Sequence, residues 1–276
     1  MTAAAVDLVV GCVQMQSGLE PGANLSRCLA FAREAESRGV QLLIFPESAT
    51  SRSDDPATSP RAQGVDGPFV ARLREELADS DMTVIIGMTE ERAHGLPFNT
   101  LVALRSGAVV ATYRKLHLYD AAGMRESDTM SPGDGPVEVF EVNGFRVGMM
   151  TCYDVRFPEL ARLLAEQGAD VLAVPTSWVS GPLKEDHWRT LCAARAIENA
   201  LYVVGAAQTG GTRIGRSLVV APDGVAEATA GYEETLLVGR LSAERLAGVR
   251  QRFPMLHQTR FVVDASPRPA RSPAGV

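Results

Sequence analysis

The chain has 276 residues, 46% of them hydrophobic, so it can bury a sizeable core, and its 33 acidic against 27 basic residues leave a net charge of −6. No basic run is interleaved with aromatics, so nucleic acid is not an expected partner. No apolar segment approaches the ~20 residues needed to span a bilayer, and the amino terminus lacks a positive region and is interrupted by Asp7, so a cytoplasmic protein without membrane contact is expected.

In chain order, strand-like apolar runs fall at residues 7–14, 41–45, 83–88, 98–104, 108–114, 145–151, 170–175, 201–208, 216–221 and 235–240. Helical periodicity separates many of them. Leu25, Cys28, Leu29 and Ala32 mark one apolar face behind an expected Asn24 cap, and Phe69, Leu73 and Leu77 mark a second. Leu160, Leu163 and Leu164 follow Pro158 in a third helix, and Leu191, Ala194, Ile197 and Glu198 lie in a fourth. This alternation predicts an α/β fold. Ser106-Gly107, Asn143-Gly144 and Asp223-Gly224 are hairpin turns, which make the sheets mixed and argue against a barrel of regular strand–helix units. Residues 1–264 read as a single domain, and 265–276, rich in proline and small residues, as a tail.

Cys12, Cys28, Cys152 and Cys192 form no CxxC pair and no short cluster with histidine, so neither a disulfide framework nor a metal site is predicted. Cys12, Cys28 and Cys192 read as buried structural thiols. Cys152 differs: it ends the run Phe145–Thr151 and is followed by Tyr153, Asp154 and Arg156, polar neighbours able to tune a thiol. Glu47 ends the strand-like Gln41-Leu-Leu-Ile-Phe-Pro at a sheet edge, and Lys115 ends another strand in Tyr113-Arg-Lys-Leu-His-Leu. Taken singly, Glu47 reads as a solvated loop acid and Lys115 as a surface charge. Together with Cys152 they supply a base, a cation and a nucleophile.

The segments Phe45-Pro-Glu, Tyr113-Arg-Lys-Leu-His-Leu and Cys152-Tyr-Asp-Val-Arg-Phe-Pro-Glu-Leu resemble the catalytic motifs of the nitrilase superfamily of carbon–nitrogen hydrolases, and the likeness runs from Val9 to Arg260. Ser131-Pro-Gly-Asp, Ser180-Gly-Pro, His187-Trp188 and Arg195-Ala-Ile-Glu-Asn are similar to the Nit branch, which contains ω-amidases and the amidase of deaminated glutathione. The resemblance implies an αββα sandwich with two mixed sheets, pairing into an αββα–αββα homodimer, or a higher oligomer, across the helices after Cys152 and around 186–199. It implies a cofactor-independent cysteine amidase acting on a small-molecule amide that carries a carboxylate. Glu47 would take the thiol proton, Lys115 and the backbone N–H of Tyr153 would hold the oxyanion, and a thioester would form on Cys152.

Glu126 matches a second family glutamate that orients Lys115 and the substrate. Arg156, four residues after Cys152, matches an arginine suited to a substrate carboxylate, with a structural ion pair to Asp154 or Glu159 as its other reading. Trp178 and Ser180 resemble residues lining the same pocket. The Leu183-Lys-Glu-Asp segment is longer than its Nit counterpart. His117 and His187 raise a Cys–His alternative, in which imidazole is the base; the family motif makes His117 a structural partner, and His187 reads as a packing or capping residue. A hydrolase of N-carbamoyl amino acids, an aliphatic amidase or nitrilase of the same superfamily, and a catalytically silent binding protein are the competing functions.

Overall fold

The run Leu42-Leu43-Ile44-Phe45 has no polar face because every one of its residues is fully buried. Leu42 and Ile44 join a core that runs between two sheets, whereas Leu43 and Phe45 join a second core under two helices. A strand covered on both sides reads as a continuous apolar stretch. The computed structural model describes residues 6–55, 58–135 and 138–264. The tail expected over 265–276 lies outside the described residues.

The first half of the chain gives β1 (Leu8–Gln14), α1 (Pro21–Ser37), β2 (Leu42–Ile44), α2 (Pro68–Glu76), β3 (Thr83–Glu90), β4 (Phe98–Arg105) and β5 (Ala108–Arg114). A minimal hairpin follows, β6 (Asp120–Ala121) and β7 (Met124–Arg125). The second half gives β8 (Val139–Val142), β9 (Phe145–Met149), α3 (Pro158–Glu166), β10 (Val171–Thr176), α4 (Lys184–Asn199), β11 (Tyr202–Ala207), β12 (Leu218–Val220), β13 (Ala226–Thr229), β14 (Thr235–Leu241) and α5 (Ala243–Arg252).

The sheets are built to one plan. In the order β14-β1-β2-β3-β4-β5, strands β1, β2 and β3 are parallel, and β4 and β5 follow as an antiparallel meander. In the order β13-β12-β11-β10-β9-β8, strands β9, β10 and β11 are parallel, with β12 and β13 as the meander. Each free edge is closed by an antiparallel strand, β14 on β1 and β8 on β9. Helices α1 and α2 cover the first sheet with Cys28, Leu29, Ala32, Phe69 and Leu73, while Leu164, Trp188, Cys192 and Ala196 of α3 and α4 join the core of the second. The layers therefore run α, β, β, α. Ser106 and Gly107 both have positive φ (48° and 70°), as do Asn143 and Gly144 (47° and 82°), the geometry two-residue hairpins require.

Two sequence expectations are corrected. Asn24 does not cap α1: Pro21, with its preset φ, starts the helix, and Asn24 lies inside it, accepting from Gly18 N at 2.9 Å and donating to Gly18 O and Thr50 O at 2.8 and 3.0 Å. In α4 the buried residues are Trp188, Cys192, Arg195, Ala196 and Asn199, whereas Ile197 is 48% exposed. Buried polar side chains misplace the apolar period there, since Arg195 turns inward to donate from Nε to Val155 O at 2.8 Å.

Candidate active site

Glu47 leaves the end of β2 at a turn that lies directly on β3. A Cβ at Gly87 would stand 2.6 Å from Pro46 O and 2.7 Å from Glu47 Cα, so only glycine admits this approach. The carboxylate, 4% exposed, is held at both oxygens. Oε1 accepts from Asn99 Nδ2 at 2.7 Å and Lys115 Nζ at 3.0 Å, and Oε2 accepts from Ser177 N at 2.6 Å. Gln208 Nε2 fixes the Glu47 carbonyl at 3.0 Å.

Lys115, immediately after β5, is also buried. Its Nζ donates to Glu47 and, at 2.8 Å, to Glu126 Oε2. Glu126 is anchored by Tyr119 N on the same oxygen at 2.7 Å and by Asn99 Nδ2 on Oε1 at 3.0 Å. Asn99 thus spends its amide hydrogens on two carboxylates. Two acceptor-only groups fix the orientation of that amide.

Cys152 opens a short 3-10 segment, Cys152–Arg156, directly beyond β9 and has a left-handed φ of 47°. That region costs a non-glycine residue roughly 1–2 kcal/mol, and a buried acid holds the chain there. Asp154 is fully buried and accepts from Thr151 N (2.9 Å) and Tyr113 Oη (2.7 Å) at Oδ2, and from His117 N (3.0 Å) at Oδ1. His117 Nδ1 also lies 2.7 Å from Oδ1, and its ring stacks on Phe157 at 3.6 Å. Since Tyr113 and His117 flank Lys115, Asp154 locks the lysine strand of one sheet to the cysteine turn of the other. His117 is thereby a structural partner, as the family motif implies.

Burial by itself would raise the Glu47 carboxyl, but the Lys115 charge and hydrogen bonds from Lys115, Asn99 and Cys152 hold it below the ordinary glutamate value. Burial likewise opposes the charge on Lys115, yet Glu126 and Glu47 hold it well above the ordinary lysine value. The Cys152 thiol is pushed up to about 12, by burial first and by the negative Glu47 second, with Lys115 pulling the other way. The resting trio is therefore carboxylate, ammonium and neutral thiol. Cys152 is as buried as a structural cysteine, 8% exposed, contrary to the polar exposure its sequence neighbours suggest. Burial also raises Cys12 and Cys28 to about 12, and Cys192 is raised too, so proximity to Glu47 and Lys115 is what distinguishes Cys152.

A cavity of about 490 Å³ opens onto Glu47, Lys115, Glu126 and Cys152, and Tyr153 and Trp178 line it. The Tyr153 amide stands in the first turn of the 3-10 segment, where no earlier turn provides an acceptor. Arg156 and Ser180 are not among the lining residues. Arg156 stacks 5.0 Å from the Trp178 ring and lies 3.4 Å from His187 Nδ1, so neither of its two sequence readings, cavity cation or ion pair with Asp154 or Glu159, describes its position. Ser180 is exposed and its N–H donates to Thr212 O at 2.8 Å as the chain turns away at Gly181; Ser177 and Val179 line the wall instead. His187 is exposed on α4 and packs into neither core. The sequence reading missed Asn99, Ser177, Gln208 and the lining cations Arg52, Lys184 and Arg213. Polar Asn99 near the start of a buried, largely apolar strand was the available signal for the first.

The sequence matches the carbon-nitrogen hydrolase family over residues 9–251. It is 41% identical over 240 residues to the deaminated glutathione amidase of Escherichia coli O157:H7, covering 86% of this chain and 92% of that protein. It is 33% identical over 261 residues to the omega-amidase NIT2 of Bos taurus, covering 90% and 93%. Among solved structures, an amidase variant from Nesterenkonia sp., with the acetamide moiety of fluoroacetamide added covalently at its active site cysteine, superposes with a TM-score of 0.78 at 27% identity, covering 94% of this chain and 98% of that one.

Proposed function

The chain belongs to the carbon-nitrogen hydrolase family, and from that premise we propose that it is a cysteine amidase in which Cys152 is the nucleophile, Glu47 the proton carrier and Lys115 an oxyanion donor. The observation that carries the reading is the neutral thiol of Cys152 in the same cavity as, and within the electrostatic reach of, a Glu47 carboxylate that stays ionised. A thiol in that state needs a base at the moment of attack, and Glu47 is in place.

The amide carbonyl enters above Cys152. As sulfur attacks carbon, the thiol proton passes to Glu47 and the carbonyl π pair moves to oxygen. Lys115 has three donors, of which Glu47 and Glu126 use two; the third, with the Tyr153 N–H, meets the oxyanion. On collapse the C–N bond breaks, the nitrogen takes the proton from Glu47, and the thioester remains. Glu47 then deprotonates a water, which attacks the thioester; the thiolate leaves and recovers that proton. Glu126 and Asn99 hold Glu47 and Lys115 in register throughout.

For substrate, the deaminated glutathione amidase relative and the cations lining the cavity support a small amide that carries a carboxylate. The catalytic unit is a single domain over residues 1–264, working in the cytoplasm as a homodimer in which a second copy packs on the outer face of α3 and α4. Among the described residues no helix is long and apolar enough to cross a membrane.

The test is release of the 2-oxo acid from 2-oxoglutaramate and from deaminated glutathione, with Cys152→Ser as control. Release by the wild type alone is the expected result, and equal release by the control would refute the nucleophile. A second signature is the pH profile. Because Glu47 is held low, kcat/KM should fall only below the ordinary glutamate value of about 4.3, and it should stay level through neutrality because the thiol titrates near 12. A Cys–His pair with imidazole as the base would instead lose activity as pH falls through the histidine value, about 6.5.

A further inference from the structure

One buried hydroxyl beside the site has no partner in the resting enzyme. Thr176 is the last residue of β10 and is fully buried, and its Oγ1 meets no hydrogen-bonding group among the described residues. Buried polar side chains are rarely left in this condition, since an unmet one costs about 1–3 kcal/mol. The main chain around it is fixed: Thr176 pairs with Ala207 of β11, and its carbonyl accepts from Gln208 N at 2.8 Å. A β-branched side chain on such a strand has little rotamer freedom with which to find another partner.

What lies beside the hydroxyl is the nucleophile. Strands β9 and β10 are parallel, with Leu172 opposite Gly148 and Ala173 opposite Met149, and Met150 N continues the ladder to Ala173 O at 3.0 Å. Carried three residues further, that register brings Thr176 level with Cys152, and β10 packs on the Cys152–Arg156 segment. The next residue, Ser177, shares the cavity wall with Cys152 and gives its N–H to Glu47. The thiol responds to these neighbours: burial first and the negative Glu47 second push it up, whereas Lys115, the Thr176 hydroxyl and the Ser177 N–H pull it down. A donor that pulls a thiol down does so by favouring the thiolate.

A neutral thiol is a weak acceptor, and a charged acceptor makes the stronger bond. The hydroxyl therefore gains most when the sulfur is negative, and an interaction made only then lowers a barrier without tightening the resting state. Negative charge comes to the sulfur twice in the proposed cycle, as the thiol proton leaves for Glu47 and as the thioester expels the thiolate.

Resting on the amidase reading above, we propose that the Thr176 hydroxyl is a donor to the Cys152 sulfur, engaged at thiolate formation and again at thiolate release. The proton stays on Oγ1 throughout, so the transfers among Cys152, Glu47, the leaving nitrogen and water are unchanged. Lys115 and the Tyr153 N–H serve the oxygen of the reacting carbonyl, and Thr176 serves the sulfur.

The test pairs Thr176→Val, which keeps the shape and removes the hydroxyl, with Thr176→Ser, which keeps the hydroxyl and removes a methyl group. Three quantities are read in each: the melting temperature, kcat/KM for 2-oxoglutaramate and deaminated glutathione, and the rate at which iodoacetamide alkylates Cys152 without substrate, followed by peptide mapping. A hydrogen bond to a charged group sets the expected loss for Thr176→Val at about 10- to 100-fold in both rates. Its melting temperature should equal or exceed that of the wild type, because no resting bond is broken. Thr176→Ser should recover most of both rates.

Wild-type rates in Thr176→Val overturn the inference while the amidase reading stands. A valine variant that melts well below the wild type or fails to fold overturns it too, since the hydroxyl would then hold the resting structure. Equal losses in the valine and serine variants assign the effect to packing, and lost turnover with unchanged alkylation moves the defect away from the sulfur; either result overturns the inference. Absence of Cys152-dependent hydrolysis of both amides by the wild type defeats the amidase reading and the inference with it.

Discussion

Replacing Glu47 with Gln is expected to lower amide turnover by about 10³- to 10⁴-fold, near the upper range for a single acid–base group, because the same carboxylate moves the proton in both half-reactions. The substitution is almost isosteric. The carbonyl oxygen of the new side chain can still accept from Lys115 and Asn99, but its NH₂ group would face the Ser177 N–H, two donors together at the site of a 2.6 Å bond. An unmet donor costs about 1–3 kcal/mol, too little to unfold a domain with this much core. Circular dichroism should therefore report a folded variant with a modestly lower melting point. Rapid-quench kinetics should show no burst of acylation, locating the defect in the first step. A variant that keeps a tenth of wild-type kcat would remove Glu47 from the role of proton carrier.

The second large effect is expected at Lys115. Lys115→Met leaves the Glu47 and Glu126 carboxylates facing one another with only Asn99 and backbone donors between them. Stranding a buried charge by removal of its partner costs about 3–5 kcal/mol, so this variant should lose stability as well as activity. The pH dependence identifies the cause. In the wild type Glu47 is held below its unfolded value, so it contributes stability above that value, and the contribution is lost as pH falls through the folded pKa. Without the lysine, burial is opposed only by hydrogen bonds such as those from Asn99 and the Ser177 amide, and the Glu47 pKa is expected to rise above the unfolded value of about 4.3. The variant's deficit should then be small below that value and grow as pH rises. Urea denaturation at pH 4.5 and pH 8 measures it, and an equal deficit at both would mean that lost packing, not a stranded carboxylate, is responsible.

The ten strand runs all reappear as strands, most of them because they are buried, nearly continuous apolar segments, the pattern least dependent on context; β5, mostly exposed, and β14, largely half-exposed, are the exceptions. The strands that went unforeseen are β6, β7, β8 and β13. β13 is Ala-Glu-Ala-Thr, mostly exposed at an edge, and β8 is four residues long, so neither has a core of its own to declare it. At the site, Glu47, Lys115 and Cys152 were legible because each terminates a strand and each has a distinctive chemistry. Glu126 was legible only through resemblance, since its segment has no periodicity. Arg156 was singled out by its resemblance and its spacing from Cys152, but a side chain's direction after a 3-10 turn is set by packing, here against Trp178 and His187. Lys184 and Arg213 reach the cavity from either side of the 177–179 segment through loop geometry that no local pattern encodes.

Base and cation ride on one sheet and the nucleophile on the other, with the buried Asp154 clasping the two through Tyr113 and His117. Competence to react is therefore a property of how two layers are docked and not of either layer alone. A partly loosened molecule could keep every strand pairing and every helix and still be inert, having lost only the alignment between its halves. Catalysis in this protein is a more sensitive gauge of that docking than any measure of secondary structure.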